Sequence, residues 1–212
     1  MRYSRRSGVH WENNVTLLHA GSRLVIATHN AGKRREFASL LAASRIDCTD
    51  AAALGLAEPA ETGADFAENA QIKALSAARA SGLASLADDS GLAVAALGGA
   101  PGLRSARFAE ECGGYPAAMA QIIAASRDDD RAWFTCALCL AFPTGETATY
   151  LGYCFGIIAA QPQGGNGFGY DPIFVPSGQT ASFAELPAAQ KHAISHRARA
   201  SRQLLAALAD LN

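Results

Sequence analysis

The chain has 212 residues, of which 50% are hydrophobic, and its 18 lysine and arginine residues nearly balance 19 aspartate and glutamate residues. This length permits one or two lobes around a substantial buried core, and the near-zero net charge excludes a broad basic surface for nucleic acid or an anionic membrane. No apolar stretch reaches the roughly 18 residues that a membrane-spanning helix needs. We therefore expect neither a nucleic acid nor a membrane among the partners.

The five cysteines indicate a reducing compartment, because an odd number in a chain of this length argues against a disulfide framework. Cys136 and Cys139 form a Cys-x-x-Cys pair, but on a strand they would face opposite sides, and no second pair completes a zinc site. We interpret both as core residues. An Arg5-Arg6 pair suggests a twin-arginine signal, yet polar residues follow where the apolar signal core should be. We predict a cytoplasmic protein.

The first third of the chain predicts an extension, a strand and two helices. Residues 1 to 22 lack sustained apolar periodicity, so we predict a mobile N-terminal extension followed by one domain from residue 23 to residue 212. Residues 24 to 27 predict a short buried strand, and after a loop a helix begins near Lys33. Asp65 and Glu68 have the spacing of a capping box and predict a helix that continues to about Ser81, where Gly82 ends it.

The middle and the end of the chain predict a hairpin between further helices. The apolar run from Ser85, closed by Ser90 and Gly91, predicts a buried strand that gives way to a turn, and Pro116 marks the first turn of a helix. Two strand-like runs, at residues 132 to 142 and 147 to 158, are joined by a turn at residues 143 to 145. A glycine-rich loop at residues 164 to 172 leads into a short strand, and a last helix covers about residues 198 to 211. Helices mixed with strands predict an α/β fold with a mixed central β-sheet flanked by helices.

Two adjacent carboxylates, Asp88 and Asp89, lie at the end of the apolar run that begins at Ser85. Neighbouring residues of a strand point to opposite faces, so we expect one carboxylate to face a pocket and the other to tether backbone or a ligand. The alternative is a solvated turn with an aspartate at its first position.

Lysine occurs only at Lys33, Lys73 and Lys191, and the first of these begins a run of three cations at a helix start. Cations are unfavourable at that end of the helix dipole unless an anion binds there. His196 and Arg197 repeat the arrangement after Ser195, the expected N-cap of the last helix. Each cluster alone also suits a solvated surface. Together with the acidic pair, they predict a phosphate ester or anhydride held between cations and carboxylate-bound Mg²⁺.

Six motifs in order resemble the inosine triphosphate pyrophosphatases, the Ham1-like non-canonical purine nucleoside triphosphatases. The resemblance covers about residue 23 to the C-terminus. Its motifs are Thr28-His29-Asn30-Ala31-Gly32-Lys33, Phe66-Ala67-Glu68-Asn69-Ala70 with Lys73, Ala87-Asp88-Asp89-Ser90-Gly91-Leu92, Pro101-Gly102 with Ser105-Ala106-Arg107-Phe108, Gly167-Phe168-Gly169-Tyr170-Asp171-Pro172, and Lys191 with Ser195-His196-Arg197. One departure is Gln163, which stands where an arginine is common in the family.

The resemblance implies a two-lobed homodimer with the active-site cleft between the lobes of each copy. The implied reaction is the Mg²⁺-dependent hydrolysis of ITP, dITP, XTP or dXTP to the monophosphate and pyrophosphate. Two alternatives remain open: a nucleotide-sensing module without catalysis, and a phosphatase that releases orthophosphate.

The resemblance also implies a role for each matched residue. Residues that cradle the triphosphate are Thr28, His29, Asn30, Ala31, Gly32 and Lys33, and Lys73 neutralises its charge. Asp89 binds Mg²⁺ and acts as the general base, Asp88 and Glu61 assist at the metal, and Ser90 touches the substrate. Residues at the nucleobase end are Phe168, Gly169, Tyr170, Asp171, Lys191, His196 and Arg197. Lys191 and Arg197 can only donate hydrogen bonds, which suits the 6-oxygen of hypoxanthine or xanthine and disfavours adenine.

Overall fold

The computed structural model describes residue 18 and residues 21 to 209, which form an α/β fold around one six-stranded sheet. The strands are β1 (Arg23–Ile26), β2 (Asp47–Asp50), β3 (Ala84–Val94), β4 (Arg131–Ala141), β5 (Thr147–Ile158) and β6 (Phe174–Pro176). The helices are α1 (Ala31–Leu41), α2 (Phe66–Ser81), α3 (Ser105–Glu111), α4 (Tyr115–Ala125), α5 (Ala188–Ile194) and α6 (His196–Ala209).

The sheet is mixed, as the sequence predicted. Its order is β2-β1-β3-β4-β5-β6, with β1 parallel to β2 and β3 and every later pairing antiparallel. The strands β3, β4 and β5 are 11, 11 and 12 residues long, so they run from one lobe into the other. Each of these strands contributes residues to core clusters at both of its ends.

Three apolar clusters build the core of the two lobes. One cluster packs Leu92 and Phe134 against α4 and the segment around Phe174. At the other end of the long strands, one cluster includes Leu138 and packs against α1 and α6, while the other lies beneath α2 and consists mainly of alanine. Small side chains let α2 lie close to the sheet, so the polar residues of this helix come within reach of β3.

Several elements form where the sequence predicts them, because local backbone chemistry fixes their ends. The Asp65 side chain accepts from the backbone N–H of Glu68 at 2.9 Å and caps α2, and Gly82 ends the helix with a φ of 69°. Pro116 lies in the first turn of α4, and β4 and β5 form the predicted hairpin. Cys136 and Cys139 are buried in different core clusters, on opposite faces of the sheet as expected.

The prediction that the strand with the acidic pair gives way to a turn at Ser90 and Gly91 is wrong. β3 continues through Asp88 and Asp89 as far as Val94, and each of its residues from Ser85 onward has a partner in β4. The long partner satisfies the backbone of β3, and buried cations neutralise the two carboxylates. A turn is therefore not needed at this point.

Other boundaries also differ from the sequence predictions. α1 begins at Ala31 rather than near Lys33, because the Asn30 side chain accepts from the backbone N–H of Lys33 at 3.1 Å and acts as the N-cap. α6 begins at His196, as expected with Ser195 as its N-cap but before the residue 198 that the apolar pattern gave, and the short elements β2, α3 and α5 were not predicted. Residues 1 to 17, 19 and 20 of the predicted extension lie outside the described residues, whereas Leu18 is buried against the cluster that contains Leu138.

Candidate active site

Asp88 and Asp89 face opposite sides of β3 and have different partners. The Oδ2 atom of Asp88 accepts from Arg197 Nη2 at 2.7 Å and from the Ser90 hydroxyl at 2.6 Å. Asp89 accepts from the side-chain amide of Asn69 at 3.1 Å and lines a pocket in the cleft. Asp89 meets the expectation of a carboxylate that faces a pocket, whereas Asp88 binds the side chains of Arg197 and Ser90 instead of the expected backbone or ligand.

Lys73 brings two carboxylates together at the pocket wall. Its Nζ atom lies 2.6 Å from Glu61 Oε1 and 3.3 Å from Asp89 Oδ1, and the residue is only 4% exposed. A solvated helix face is thereby excluded for Lys73. Burial raises the pKa of Asp89 above its ordinary value of 3.8, although Lys73 and Lys33 act in the opposite direction. Asp89 is thus a carboxylate with an increased affinity for a proton.

The loop between β1 and α1 begins the other wall of the pocket. Thr28 and Asn30 shape it, because the Thr28 hydroxyl accepts from the backbone N–H of Asn30 at 3.2 Å. Both ring nitrogens of His29 face acceptors, with Nε2 at 3.1 Å from the Leu56 carbonyl and Nδ1 at 3.5 Å from Glu58. The positive end of α1 therefore opens beside the cleft.

A chain of alternating charges runs beneath the pocket. Lys33 lies 3.1 Å from Asp88, which binds Arg197, and Arg197 also contacts Glu36. Lys191 continues the chain, since its Nζ atom lies 2.7 Å from Glu36 and 2.6 Å from Asp171.

These buried ion pairs lower the affinity of the Glu36 and Asp88 carboxylates for protons. Burial alone would raise the pKa of both, but the adjacent cations outweigh it: Arg197 and Lys191 lower the pKa of Glu36 to about 2, and Arg197 and Lys33 hold that of Asp88 well below its usual range. The cations at the starts of α1 and α6 are thus paired with carboxylates of the protein itself: Asp88 pairs with Lys33 and Arg197, and Glu36 also pairs with Arg197.

Aromatic residues line a further part of the pocket. The imidazole of His196 stacks on Phe134 with ring centroids 4.7 Å apart, and burial lowers its pKa well below 6.5. The hydroxyl of Tyr170 donates to the Ser105 carbonyl at 2.9 Å, and Tyr115 packs edge-on against the Tyr170 ring. His196 is therefore neutral near pH 7 and can donate a hydrogen bond from only one ring nitrogen.

The structure brings most of the predicted site residues to one cavity of about 320 Å³. Its predicted lining residues are Thr28, His29, Asn30, Lys33, Glu61, Lys73, Asp89, Ser90, Phe168, Gly169, Tyr170, Asp171, Lys191, His196 and Arg197. Ala31, Gly32 and Asp88 lie outside this lining. This volume is within the range of small-molecule sites.

Sequence reasoning missed several residues of the site, among them Glu36, Phe134 and Tyr115. Glu36 joins Arg197 to Lys191, whereas Phe134 and Tyr115 line the cavity. The signal for Glu36 was a carboxylate directly before Phe37 on the buried face of α1, and both residues are 5% exposed or less. No local pattern distinguishes Phe134 or Tyr115 from other aromatic core residues.

The two carboxylates that contact Lys73 suit Mg²⁺, an ion that the protein would hold together with phosphate oxygens and water. Within residues 18 and 21 to 209, no group of three or more His, Cys, Asp and Glu side chains is arranged to hold a metal ion. Mg²⁺ commonly takes one or two carboxylates and completes its shell with water and phosphate oxygens. Asp89 and Glu61 supply such a pair, so the residues present fit the ion.

The fold and the pocket together define an α/β protein with a charged, nucleotide-sized cleft between two lobes. Among the described helices, none combines the length and apolar character needed to cross a bilayer. A model of the Ham1 family matches residues 24–207, which is most of the chain. The chain belongs to the Ham1 family.

Individual relatives agree with this assignment. The chain is 54% identical to a dITP/XTP pyrophosphatase of Rhodospirillum centenum over 192 residues, which is 88% of this chain and 95% of the relative. It is 52% identical to a dITP/XTP pyrophosphatase of Gluconobacter oxydans, with 86% and 89% of the two chains covered. The solved structure of a HAM1 protein from Coxiella burnetii has a TM-score of 0.78 and 39% identity, and covers 89% of this chain and 99% of its own.

Proposed function

We propose that the protein hydrolyses non-canonical purine nucleoside triphosphates, namely ITP, dITP, XTP and dXTP, to the monophosphate and pyrophosphate with Mg²⁺ as cofactor. The observation that carries the proposal is the contact of Lys73 with both Asp89 and Glu61 on the wall of the pocket. The two relatives named dITP/XTP pyrophosphatase, at 54% and 52% identity, support the same reaction.

The proposed chemistry begins with an attacking water beside Asp89. The water oxygen forms a bond to the α-phosphorus, Asp89 accepts the proton, and the bond from the α-phosphorus to the bridging oxygen breaks. Pyrophosphate leaves with the bonding electrons. Burial raises the pKa of Asp89 above its ordinary value, which makes this carboxylate a stronger base than an exposed aspartate.

Other side chains hold the charges in place during this step. Lys73 offers a compact ammonium to the phosphate oxygens, and Lys33 with the N–H groups at the start of α1 supplies a second positive wall. Asp89 and Glu61 would hold Mg²⁺, which when bound neutralises phosphate oxygens in the transition state. Catalysis of this kind rests on positioning and charge neutralisation.

The nucleobase end of the pocket supports a preference for a 6-keto base. Lys191 and Arg197 line the pocket although each already contacts two buried carboxylates. Their remaining N–H groups and the neutral His196 can donate to a keto oxygen. The amino group of adenine would meet these donors without an acceptor, which costs about 1–3 kcal/mol for each unpaired group.

Phosphorus product analysis separates the proposal from its two alternatives. The protein is incubated with Mg²⁺ and ITP, XTP, GTP or ATP, and the products are resolved by phosphorus NMR. We expect IMP and pyrophosphate, with kcat/KM for ITP and XTP roughly a hundredfold above that for ATP. Orthophosphate as the first product would indicate a phosphatase, and binding without any product would indicate a sensing module.

We further propose a cytoplasmic homodimer. An apolar stripe on one face of β5 supports self-association, since Leu151, Tyr153, Phe155 and Ile157 are each at least 40% exposed. The free state of all five cysteines supports a reducing compartment. Light scattering on the unmodified protein and on Phe155→Glu tests the dimer, and a monomeric mass for the unmodified protein would refute it.

A further inference from the structure

The ring of Phe168 lies directly on Gly32. A Cβ atom at Gly32 would be 2.5 Å from Cδ1 and 2.7 Å from Cγ of Phe168, closer than real Cβ contacts allow. The backbone does not require glycine, because Gly32 is the second residue of α1 and has no positive φ. Alanine is also the better helix former. Glycine at this position therefore serves the aromatic ring rather than the backbone.

The same ring is supported from its own loop. The backbone N–H of Phe168 donates to Asp171 Oδ2 at 2.8 Å, and the Lys191 ammonium lies 4.9 Å from the ring centroid. Asp171 and Lys191 themselves form a buried ion pair at 2.6 Å. Gly32, in the first turn of α1, contacts the ring from a different part of the chain. The contact thus joins two parts of the site that are far apart in sequence.

Phe168 also lines two cavities. One is the pocket of about 320 Å³, and the other is a cavity of about 380 Å³ that Gly32 and Phe183 also line. A ring forced off Gly32 therefore has open space to enter, and the protein can remain folded after the change.

We propose that Gly32 is a positioning residue: its missing side chain seats the Phe168 ring and thereby sets the affinity of the pocket for the nucleobase. The proposal rests on the proposed function, in which the start of α1 binds the phosphates, and on the family resemblance, which assigns Phe168 to the nucleobase end. A methyl group at residue 32 displaces the ring and widens the nucleobase end. Binding of the phosphate part remains.

Two ligands test this division on Gly32→Ala. IMP carries the base and one phosphate, whereas inorganic tripolyphosphate carries phosphates without a base, and calorimetry with Mg²⁺ measures the dissociation constant of each. We expect IMP to bind about tenfold or more weakly and tripolyphosphate to change by less than about twofold. Gly165→Ala is the matched control, since a Cβ there meets nothing within 4 Å. It should leave both constants unchanged.

A double variant identifies the ring as the group that the methyl displaces. In a Phe168→Ala background the three ring atoms that the new methyl group would meet are absent, so adding Gly32→Ala should weaken IMP binding by less than about twofold. If Gly32→Ala alone is poorly folded, the double variant should fold again, as thermal unfolding will show.

Three results would overturn the proposal: equal losses for IMP and tripolyphosphate, full additivity in the double variant, or wild-type IMP binding by Gly32→Ala. Pyrophosphate release by the unmodified protein is measured separately. That assay alone tests the proposed reaction. The ratio of the dissociation constants of IMP and tripolyphosphate for Gly32→Ala tests whether Gly32 positions the Phe168 ring.

Discussion

Asp89 is the residue on which the proposed chemistry depends most directly. It lines the pocket, accepts from Asn69 at 3.1 Å, and lies 3.3 Å from Lys73. Asp89→Asn keeps the shape of the side chain but removes both its charge and its ability to accept a proton. We expect kcat to fall by about a hundredfold or more while the circular dichroism spectrum is unchanged. Asp128→Asn, at an exposed site, is the control, and substantial activity in Asp89→Asn would exclude Asp89 as the base.

Lys73 allows a test of shape at constant charge. Burial by itself would lower the pKa of Lys73, but the carboxylates of Asp89, Asp88 and Glu61 together outweigh burial and raise it, so the ammonium stays charged. Lys73→Arg retains the charge but places a planar guanidinium between two carboxylates that hold a compact group. We expect kcat/KM to fall about tenfold or more.

The control for Lys73→Arg is the reciprocal change Arg79→Lys, at an exposed position near the end of the same helix. It should leave steady-state kinetics unchanged. Equal kinetics for Lys73→Arg and the unmodified protein would show that the lysine is not needed as a point charge.

At the scale of elements, Gly152 decides how closely α6 approaches the sheet. A Cβ atom there would lie 2.0 Å from the carbonyl oxygen of His196 and 2.7 Å from the backbone nitrogen of Ala200. Both neighbours are helix backbone, which cannot rotate away. The absence of a side chain on β5 therefore lets α6 place Arg197 within reach of Asp88.

Gly152→Ala should move the start of α6 away from the sheet. We expect the free energy of unfolding to fall by about 2 kcal/mol, as for other overpacked cores. Urea denaturation measures the loss, and Gly165→Ala, which meets no neighbour, gives the reference value. A Gly152→Ala protein as stable as this reference would mean that α6 adjusts without cost.

At the scale of the whole molecule, the buried charge chain joins β3, α1, α5 and α6. Glu36 is its central anion, 5% exposed and in contact with both Arg197 and Lys191. Because the folded pKa of Glu36, about 2, lies below its ordinary value of 4.5, the carboxylate stabilises the fold above about pH 4.5. That contribution is lost as the pH falls from about 4.5 towards 2.

Glu36→Gln should therefore destabilise the protein in a manner that depends on pH. Removing one partner of a buried pair costs about 3–5 kcal/mol, which is the loss expected at pH 7. The difference from the unmodified protein should shrink as the pH approaches 2, and urea denaturation at several pH values will measure it. Glu110→Gln, at an exposed site on α3, is the control. A Glu36→Gln difference that is constant from pH 7 to pH 2 would contradict a charged Glu36.

The sequence by itself determined the elements whose signals are local. The cap at Asp65, the terminator Gly82 and the β4–β5 hairpin follow from backbone chemistry within a few residues, and the structure confirms them. The motifs also sufficed to predict the family, since their spacing along the chain can be read without coordinates.

Only the tertiary structure decided which charges meet. Arg197 and Asp88 are 109 residues apart in the chain, and no local pattern indicates that sheet order brings them to 2.7 Å. The same holds for the place of Phe168 on Gly32 and of α6 on Gly152. Desolvation depends on how many distant atoms surround a group, so burial of the acidic pair in the middle of β3 could not be read from its neighbours in sequence.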